Sequence, residues 1–439
     1  MKQIHDENRG YRILLPLVNW MFKHSYRHLK YVGVENIPTD GAVIYAPNHA
    51  NALMDALIIL AMDPKPKVFV ARADIFKNPT LAKIFKFLKI MPIMRMRDGI
   101  NEVKKNNETM EKAVDVLKDK ITFCIFPEGQ HLAKHSAQPL SKGIFRIAFQ
   151  AMELMGDTPL YIVPVGLQYG NFFRFRSTVR VEVGKPINVG EFMKAHEELT
   201  PQEQMNVLKE DLSGRIKSLI TYIPDDENYN ATYEVCAAGM KAQRFAMVKA
   251  ARVRGVNRKF AHFQANKALL EKIGEMKENQ PDKFSKLMEL GNKAYAERTA
   301  NKISLSSITN RFGFSQRRIG FIFSLLLLPY SVPAALLTLP INLACAKIFT
   351  LLKDYAFRNS IRFIFNLIVW PLLMIIYAAI AFSLAPWEYA LAGVLLYIPA
   401  PIVAHELWRM FRLERSDMKL LHNKELRNTY AQIKELLFK

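Results

Sequence analysis

Three uncharged stretches limit what this chain can become. No Asp, Glu, Lys or Arg occurs from Ile319 to Ala346, from Phe363 to Trp387, or from Tyr389 to Ala404. A helix needs about 20 mainly apolar residues to span a bilayer. The second stretch meets that length outright, and the third does so marginally. The first holds Pro329, Pro333 and Pro340; it is long for one span and too short for two. Charge orients them. The link 347–362 and the tail 406–439 each carry a net +3, while the turn Ala385-Pro386-Trp387-Glu388 has no base. Basic segments stay on the cytoplasmic side. The second and third stretches therefore read as a hairpin with its turn outside. The first reads as re-entrant or interfacial, because three plain spans would strand a basic link outside. Residues 319–405 form the expected membrane region, and 406–439 a basic helical tail in the cytoplasm.

The remainder has the opposite character. The formal net charge is +21, and +12 of it lies between Lys241 and Arg318, inside a polar, helical stretch over 191–318. Such an excess implies anionic partners: lipid headgroups, phosphorylated ligands, an acidic protein or nucleic acid. No zinc-finger, RNP-like or basic-zipper pattern occurs, so nucleic acid is not expected. Cys124, Cys236 and Cys345 are odd in number and form no CxxC. That disfavours a disulfide framework or a cysteine zinc site and fits a reducing compartment. With no H-E-x-x-H pattern either, no metal and no cofactor are expected. Residues 1–30 mix aromatics, aliphatics and bases. Asn19 interrupts the apolar run Ile13–Phe22 and no small-residue cleavage site follows, which argues against a signal peptide. Two readings stand, and both can hold: an amphipathic membrane-surface helix, or a first helix packed on its own domain.

Residues 31–190 alternate short β-rich runs with helical patterns. Val43–Ala46, Val68–Val70, Ile121–Phe126, Tyr161–Val165 and Val179–Val183 read as strands; Leu53–Met62 and Asn101–Lys118 read as helices. Apolar strands alternating with helices predict an α/β domain with a mixed, largely parallel sheet flanked by helices. The helical insert and the C-terminal transmembrane helices follow it.

Four segments at expected strand ends carry polar chemistry. In Ala46-Pro47-Asn48-His49-Ala50-Asn51-Ala52-Leu53-Met54-Asp55, a histidine sits in a strand-to-helix turn, with a carboxylate one turn into the helix. The carboxyl ends of parallel strands are where α/β sheets place functional groups. On one continuous helix, residues six apart point about 240° away from each other. His49 must therefore precede the helix and fold back if it is to meet Asp55. The pair reads either as a base oriented by an acid or as a cap histidine beside a solvated aspartate. In Pro92-Ile93-Met94-Arg95, an apolar run delivers a guanidinium suited to phosphate, though arginines are common at strand ends. In Phe126-Pro127-Glu128-Gly129-Gln130-His131, proline and glycine force a tight turn that lifts Glu128; Glu128 could equally cap the next helix. Lys142 and Arg146 add cations downstream. In Ile162-Val163-Pro164-Val165-Gly166, Pro164 sits near the end of a buried strand.

In this order the four segments resemble the glycerolipid acyltransferase family, which includes the 1-acylglycerol-3-phosphate acyltransferases. The likeness covers roughly residues 31–190 and includes Gly184-Lys185-Pro186-Ile187. It implies His49 as general base and Asp55 as its orienting acid. It implies that Arg95, Glu128, Gly129 and Lys142 bind substrate, and that Asn48, Phe126, Pro127 and Pro164 support the motifs. Two departures stand out. Five residues separate His49 from Asp55 where the family usually has four, similar to fungal-type glycerol-3-phosphate/dihydroxyacetone-phosphate acyltransferases. Gln130 and His131 stand where Thr or Ser and Arg are usual. The resemblance implies a membrane-bound enzyme with its active domain on the cytoplasmic side. It would move an acyl group from acyl-CoA or acyl carrier protein to lysophosphatidate, or alternatively to glycerol phosphate, against anionic membrane lipids. The reading from another class is a non-enzymatic basic membrane adaptor, which explains charge and anchor but not the four segments.

Overall fold

The computed structural model describes residues 4, 6, 8–93, 106–250, 261–309, 313–352 and 354–439. The chain forms two compact units. One comprises Met1–Ile220 with Asp354–Ser360, the other Thr221–Lys353 with Ile361–Lys439.

The first unit is built on an eight-stranded sheet: β1 His28–Val32, β2 Ala42–Pro47, β3 Lys67–Arg72, β4 Ile90–Ile93, β5 Thr122–Cys124, β6 Leu160–Tyr169, β7 Thr178–Val183 and β8 Ile187–Asn188. The order is β1-β7-β6-β2-β5-β3-β4, with β8 also on β6. The pairings are parallel except β6 with β7 and β6 with β8. All six residues of β2 are buried, as expected for a strand covered on both faces. Helices Leu53–Leu60, Asn106–Lys118 and Gly143–Leu154 connect parallel strands. The core joins Ile44, Phe123 and Ile162 of the sheet to Val114, Leu117, Ile144 and Phe145 of the helices.

This unit runs past residue 190. In the helix Pro201–Leu219, Leu208, Leu212 and Ile216 recur every fourth residue and bury completely in the same core. Thr200 and Glu203 close its N-terminus as a capping box. Strand β5 is shorter than the run Ile121–Phe126 suggests, because Phe126-Pro127 turns the chain away. The N-terminal helix Arg9–Ser25 has two faces. Phe22 is fully buried, whereas Ile13, Leu17 and Trp20 stand exposed on one stripe.

In the second unit, helices Tyr229–Ala250, Ala261–Asn279, Pro281–Ala300 and Lys424–Phe438 share one apolar core. Glu234 lies at its centre, fully buried. It takes both contacts of the Arg298 Nε, at 2.8 and 2.9 Å, and the Tyr430 hydroxyl. The apolar stretches follow. The helix Phe357–Leu384, whose first four residues belong to the first unit, is long and apolar enough to cross a membrane. Arg317–Leu326 and Leu328–Leu337 meet at a 74° bend, and Trp387–Tyr397 and Ala400–His422 at 58°. The breaks fall where Pro329 and Pro401 open the next helix, lacking the amide that would continue the previous one. If each bent pair is counted as one span, up to three segments among the described residues are long and apolar enough to cross. The proline-broken first stretch thus has the geometry of a broken span or a re-entrant loop.

Candidate active site

Strand β2 ends at Pro47, and Asn48 extends its pairing with β6 by side chain. Its Oδ1 accepts the Leu167 amide at 2.6 Å and its Nδ2 donates to the Leu167 carbonyl at 3.2 Å. This fixes the start of the turn that holds His49. The helix begins only at Leu53, after Ala52 with φ +44°. A residue with a side chain rarely adopts that region and does so at a cost of order 1–3 kcal/mol. The reversal swings His49 back over the helix end. Its Nδ1 lies 2.7 Å from Asp55 Oδ2, the fold-back that the spacing of six requires.

Asp55 is fully buried. The same Oδ2 also accepts the Ala50 and Asn51 amides, each at 2.7 Å, and Oδ1 accepts the Tyr169 hydroxyl. Four donors surround one carboxylate and occupy both of its oxygens. A neutral His49 therefore carries its proton on Nδ1, facing Asp55, and leaves Nε2 as a lone-pair acceptor. The imidazole stacks on Phe126 with ring centres 4.1 Å apart.

Phe126-Pro127-Glu128-Gly129 forms the opposite wall. The Gly129 amide closes a turn onto the Phe126 carbonyl at 3.1 Å, and Gly129 takes φ +66°, a left-handed conformation that favours glycine. The Pro127 carbonyl accepts the Ser141 amide at 2.7 Å. Glu128 is buried and spans the site. Its Oε2 accepts the His49 amide at 3.2 Å, and its Oε1 the Gln138 amide at 3.3 Å. Burial pushes its pKa up to about 8, against the pull of these two amides and with the help of the Asp55 charge. With both oxygens taken by backbone, Glu128 ties the Glu-Gly turn to the histidine turn.

The other expected residues are placed less centrally. Lys142 is exposed at the start of Gly143–Leu154. A Cβ on Gly143 would lie 3.8 Å from Ile93, so this helix begins beside the end of β4. Arg95, two residues beyond β4, lies outside the described residues. Pro164 is buried in β6 opposite Ala46, and its carbonyl accepts the Gly184 amide at 2.9 Å. Cys124 is buried in β5, and burial pushes its thiol pKa up. Among the described residues, no group of three or more His, Cys, Asp or Glu could hold a metal ion.

Several site residues escaped the sequence reading. Tyr169 ends β6 and Asn51 donates to the Phe172 carbonyl at 2.7 Å. Asn359 donates to that same carbonyl at 2.6 Å. His131 stands edge-on to His49 at 5.3 Å between ring centres, and its Nε2 lies 2.5 Å from Asp354. Phe357 meets His131 edge-to-face at 5.2 Å. The segment Asp354–Ser360, distant in sequence, thus belongs to the site. Burial would raise the Asp354 pKa, but the Ala356 amide and His131 more than offset it, so it lies below the usual value.

The arrangement defines a class: a strand-end histidine oriented by a buried aspartate, beside a Phe-Pro-Glu-Gly turn. Residues 28–168 of this chain match the family model described as "Acyltransferase". Among curated proteins, glycerol-3-phosphate O-acyltransferase 2 of Saccharomyces cerevisiae is 28% identical over 150 residues, 33% of this chain and 20% of that protein. The chloroplastic 1-acyl-sn-glycerol-3-phosphate acyltransferase BAT2 of Brassica napus is 26% identical over 166 residues, 35% of this chain and 44% of that protein. The chain thus spans less than half the length of these two relatives. The crystal structure of the 1-acyl-sn-glycerophosphate acyltransferase PlsC from Thermotoga maritima aligns with a TM-score of 0.34 at 20% identity, covering 49% of this chain and 83% of that one.

Proposed function

We propose that this chain is a membrane-bound O-acyltransferase of phospholipid biosynthesis. It moves a fatty acyl group from the thioester of acyl-CoA or acyl carrier protein to the free hydroxyl of 1-acyl-sn-glycerol-3-phosphate, giving phosphatidate. The observation that carries the reading is the His49–Asp55 pair at the end of β2. The acceptor hydroxyl gives its proton to His49 Nε2 as its oxygen attacks the thioester carbonyl. The tetrahedral intermediate collapses, the carbon–sulfur bond breaks, and the thiolate leaves with the electron pair. The imidazolium formed on the way is stabilised by Asp55; its proton then passes to the thiolate or to solvent. No acyl-enzyme is needed, because the acceptor is itself the nucleophile. Arg95 and Lys142 pair with phosphate as charged donors. Phosphorylated substrates and anionic headgroups account for the basic surface. The exposed Ile13, Leu17 and Trp20 stripe and the apolar helices hold the site at the bilayer, with the active unit on the cytoplasmic side.

The five-residue His49–Asp55 spacing favours a second acceptor, glycerol-3-phosphate or dihydroxyacetone phosphate. Incubating the purified chain with both donors and all three acceptors, then resolving lipids by mass spectrometry, separates the readings. Phosphatidate from lysophosphatidate is expected, and none with His49→Ala. Transfer to none of the acceptors would leave the non-enzymatic membrane adaptor standing.

A further inference from the structure

The second unit holds a cavity of about 490 Å³, lined by both polar and apolar side chains, to which the acyl-transfer reading gives no role. Its polar lining includes Asn342, Arg362, Asn366, His405, Trp408 and Arg412, with apolar residues of the same helices around them. These side chains lie within or beside the uncharged stretches. Ionisable groups in such surroundings are costly, and by default they mark a ligand or ion site.

Three observations give the ligand a sign and a shape. The first is charge. Two guanidiniums line the cavity, and no Asp or Glu does so among the described residues. Arg362 donates to Asn342 Oδ1 at 3.2 Å, a neutral acceptor. The nearby Glu406 is taken by Arg409 at 3.1 Å. The second is an orphan donor. The Trp408 indole Nε1 is buried with no hydrogen-bond partner, a state that natural interiors avoid unless something else supplies the acceptor. The third is backbone. Phe365–Val369 is a π-helical turn inside the long apolar helix, and Asn366 within it is buried on the cavity wall. Such turns concentrate at functional sites.

We propose that this cavity binds the phosphate headgroup of an anionic glycerolipid. Arg362 and Arg412 face the phosphate oxygens, and the Trp408 N–H supplies a further donor. The volume lies in the range of small-ligand sites. It takes a glycerophosphate head, while the acyl chains stay in the bilayer. The inference rests on the membrane reading of 319–405 and is independent of acyl transfer.

The test uses the full chain in phosphatidylcholine nanodiscs, wild type and His49→Ala, with bound ligand counted by native mass spectrometry. Three probes are titrated: phosphatidate, the diacylglycerol lacking its phosphate, and inorganic phosphate. Phosphatidate binding is expected in both proteins, weakened roughly tenfold or more by Arg412→Ala or Arg362→Ala, as for lost charge-assisted bonds. Trp408→Phe keeps the ring and removes the donor, so it weakens binding several-fold. If Arg412→Ala does not fold, Arg412→Gln and Trp408→Phe carry the comparison. Equal binding of diacylglycerol, or unchanged binding in the arginine variants, overturns the proposal. Inorganic phosphate binding as tightly as phosphatidate makes this an ion site and overturns the lipid assignment. Arg412-dependent lipid binding in a wild-type chain that transfers no acyl group refutes only the acyltransferase function.

Discussion

Replacing Asp55 by Asn and by Ala separates two jobs that one carboxylate performs. Asp55 Oδ2 accepts His49 Nδ1 and the Ala50 and Asn51 amides, and Oδ1 accepts Tyr169. In Asp55→Asn, two fixed backbone N–H groups demand an acceptor at the Oδ2 position. The carboxamide oxygen must therefore sit there, and its NH2 turns to Tyr169, whose hydroxyl can rotate to accept. His49 keeps its tautomer, and only the charge beneath the imidazolium is lost. A hydrogen bond to a charged group is worth about 1.5–3 kcal/mol, so turnover falls roughly 10- to 200-fold. Asp55→Ala instead leaves the two amides buried without partners, at about 1–3 kcal/mol each. That is a large part of a typical stability of about 5–15 kcal/mol. The assay is steady-state thiol release from acyl-CoA with lysophosphatidate, beside thermal melts by circular dichroism. The expected order in melting temperature is wild type, then Asp55→Asn, then Asp55→Ala well below. Wild-type turnover in Asp55→Asn would refute the orienting role. A loss as deep as that of His49→Ala would refute the argument that the amides dictate the carboxamide's orientation.

Two further outcomes follow from the opposite wall of the site. The Glu128 pKa is raised to about 8 from 4.5, so the folded state holds this proton more tightly than the unfolded one. The associated stability is complete below about pH 4.5 and is lost as pH rises toward 8. Melting temperature should therefore fall between about pH 5 and pH 8, and Glu128→Gln, which cannot ionise, should flatten that fall; an unchanged profile refutes it. Asp354 is half exposed, so its bond to His131 is discounted for solvent. Asp354→Ala should lower kcat/KM about two- to fivefold at pH 7 while leaving the melting temperature nearly unchanged; an unaltered kcat/KM would remove Asp354–Ser360 from the functional site.

Local signals were legible in the sequence, and distant ones were not. The strand-end turns could be read because their residues are contiguous: Asn48 to Asp55 contains the base, the acid and the reversal between them. The strand β1 was missed for a physical reason. None of its residues is fully buried, so it lacks the apolar run that marked β2 or β6, and His28-Leu29-Lys30 reads as more of the basic N-terminal segment. It is an edge strand held by β7. Tyr169 and Asn359 reach the site from 114 residues beyond Asp55 and 187 beyond Phe172. No spacing rule links such positions. The π-helical turn was hidden because Phe365-Asn366-Leu367-Ile368-Val369 reads as ordinary apolar helix, apart from one asparagine.

The return of Asp354–Ser360 to the first unit has a consequence for the order of assembly. Translation proceeds from the N-terminus, and domains generally fold as units in that order. The histidine turn, the Glu-Gly turn and the whole sheet are complete by residue 188, yet the side chains that meet His131 and Phe172 are made much later. A nascent chain must first release the proline-broken apolar helices before the last wall of the site exists. The wall beside His131 can therefore be completed only after the membrane-seeking part of the protein has begun to emerge.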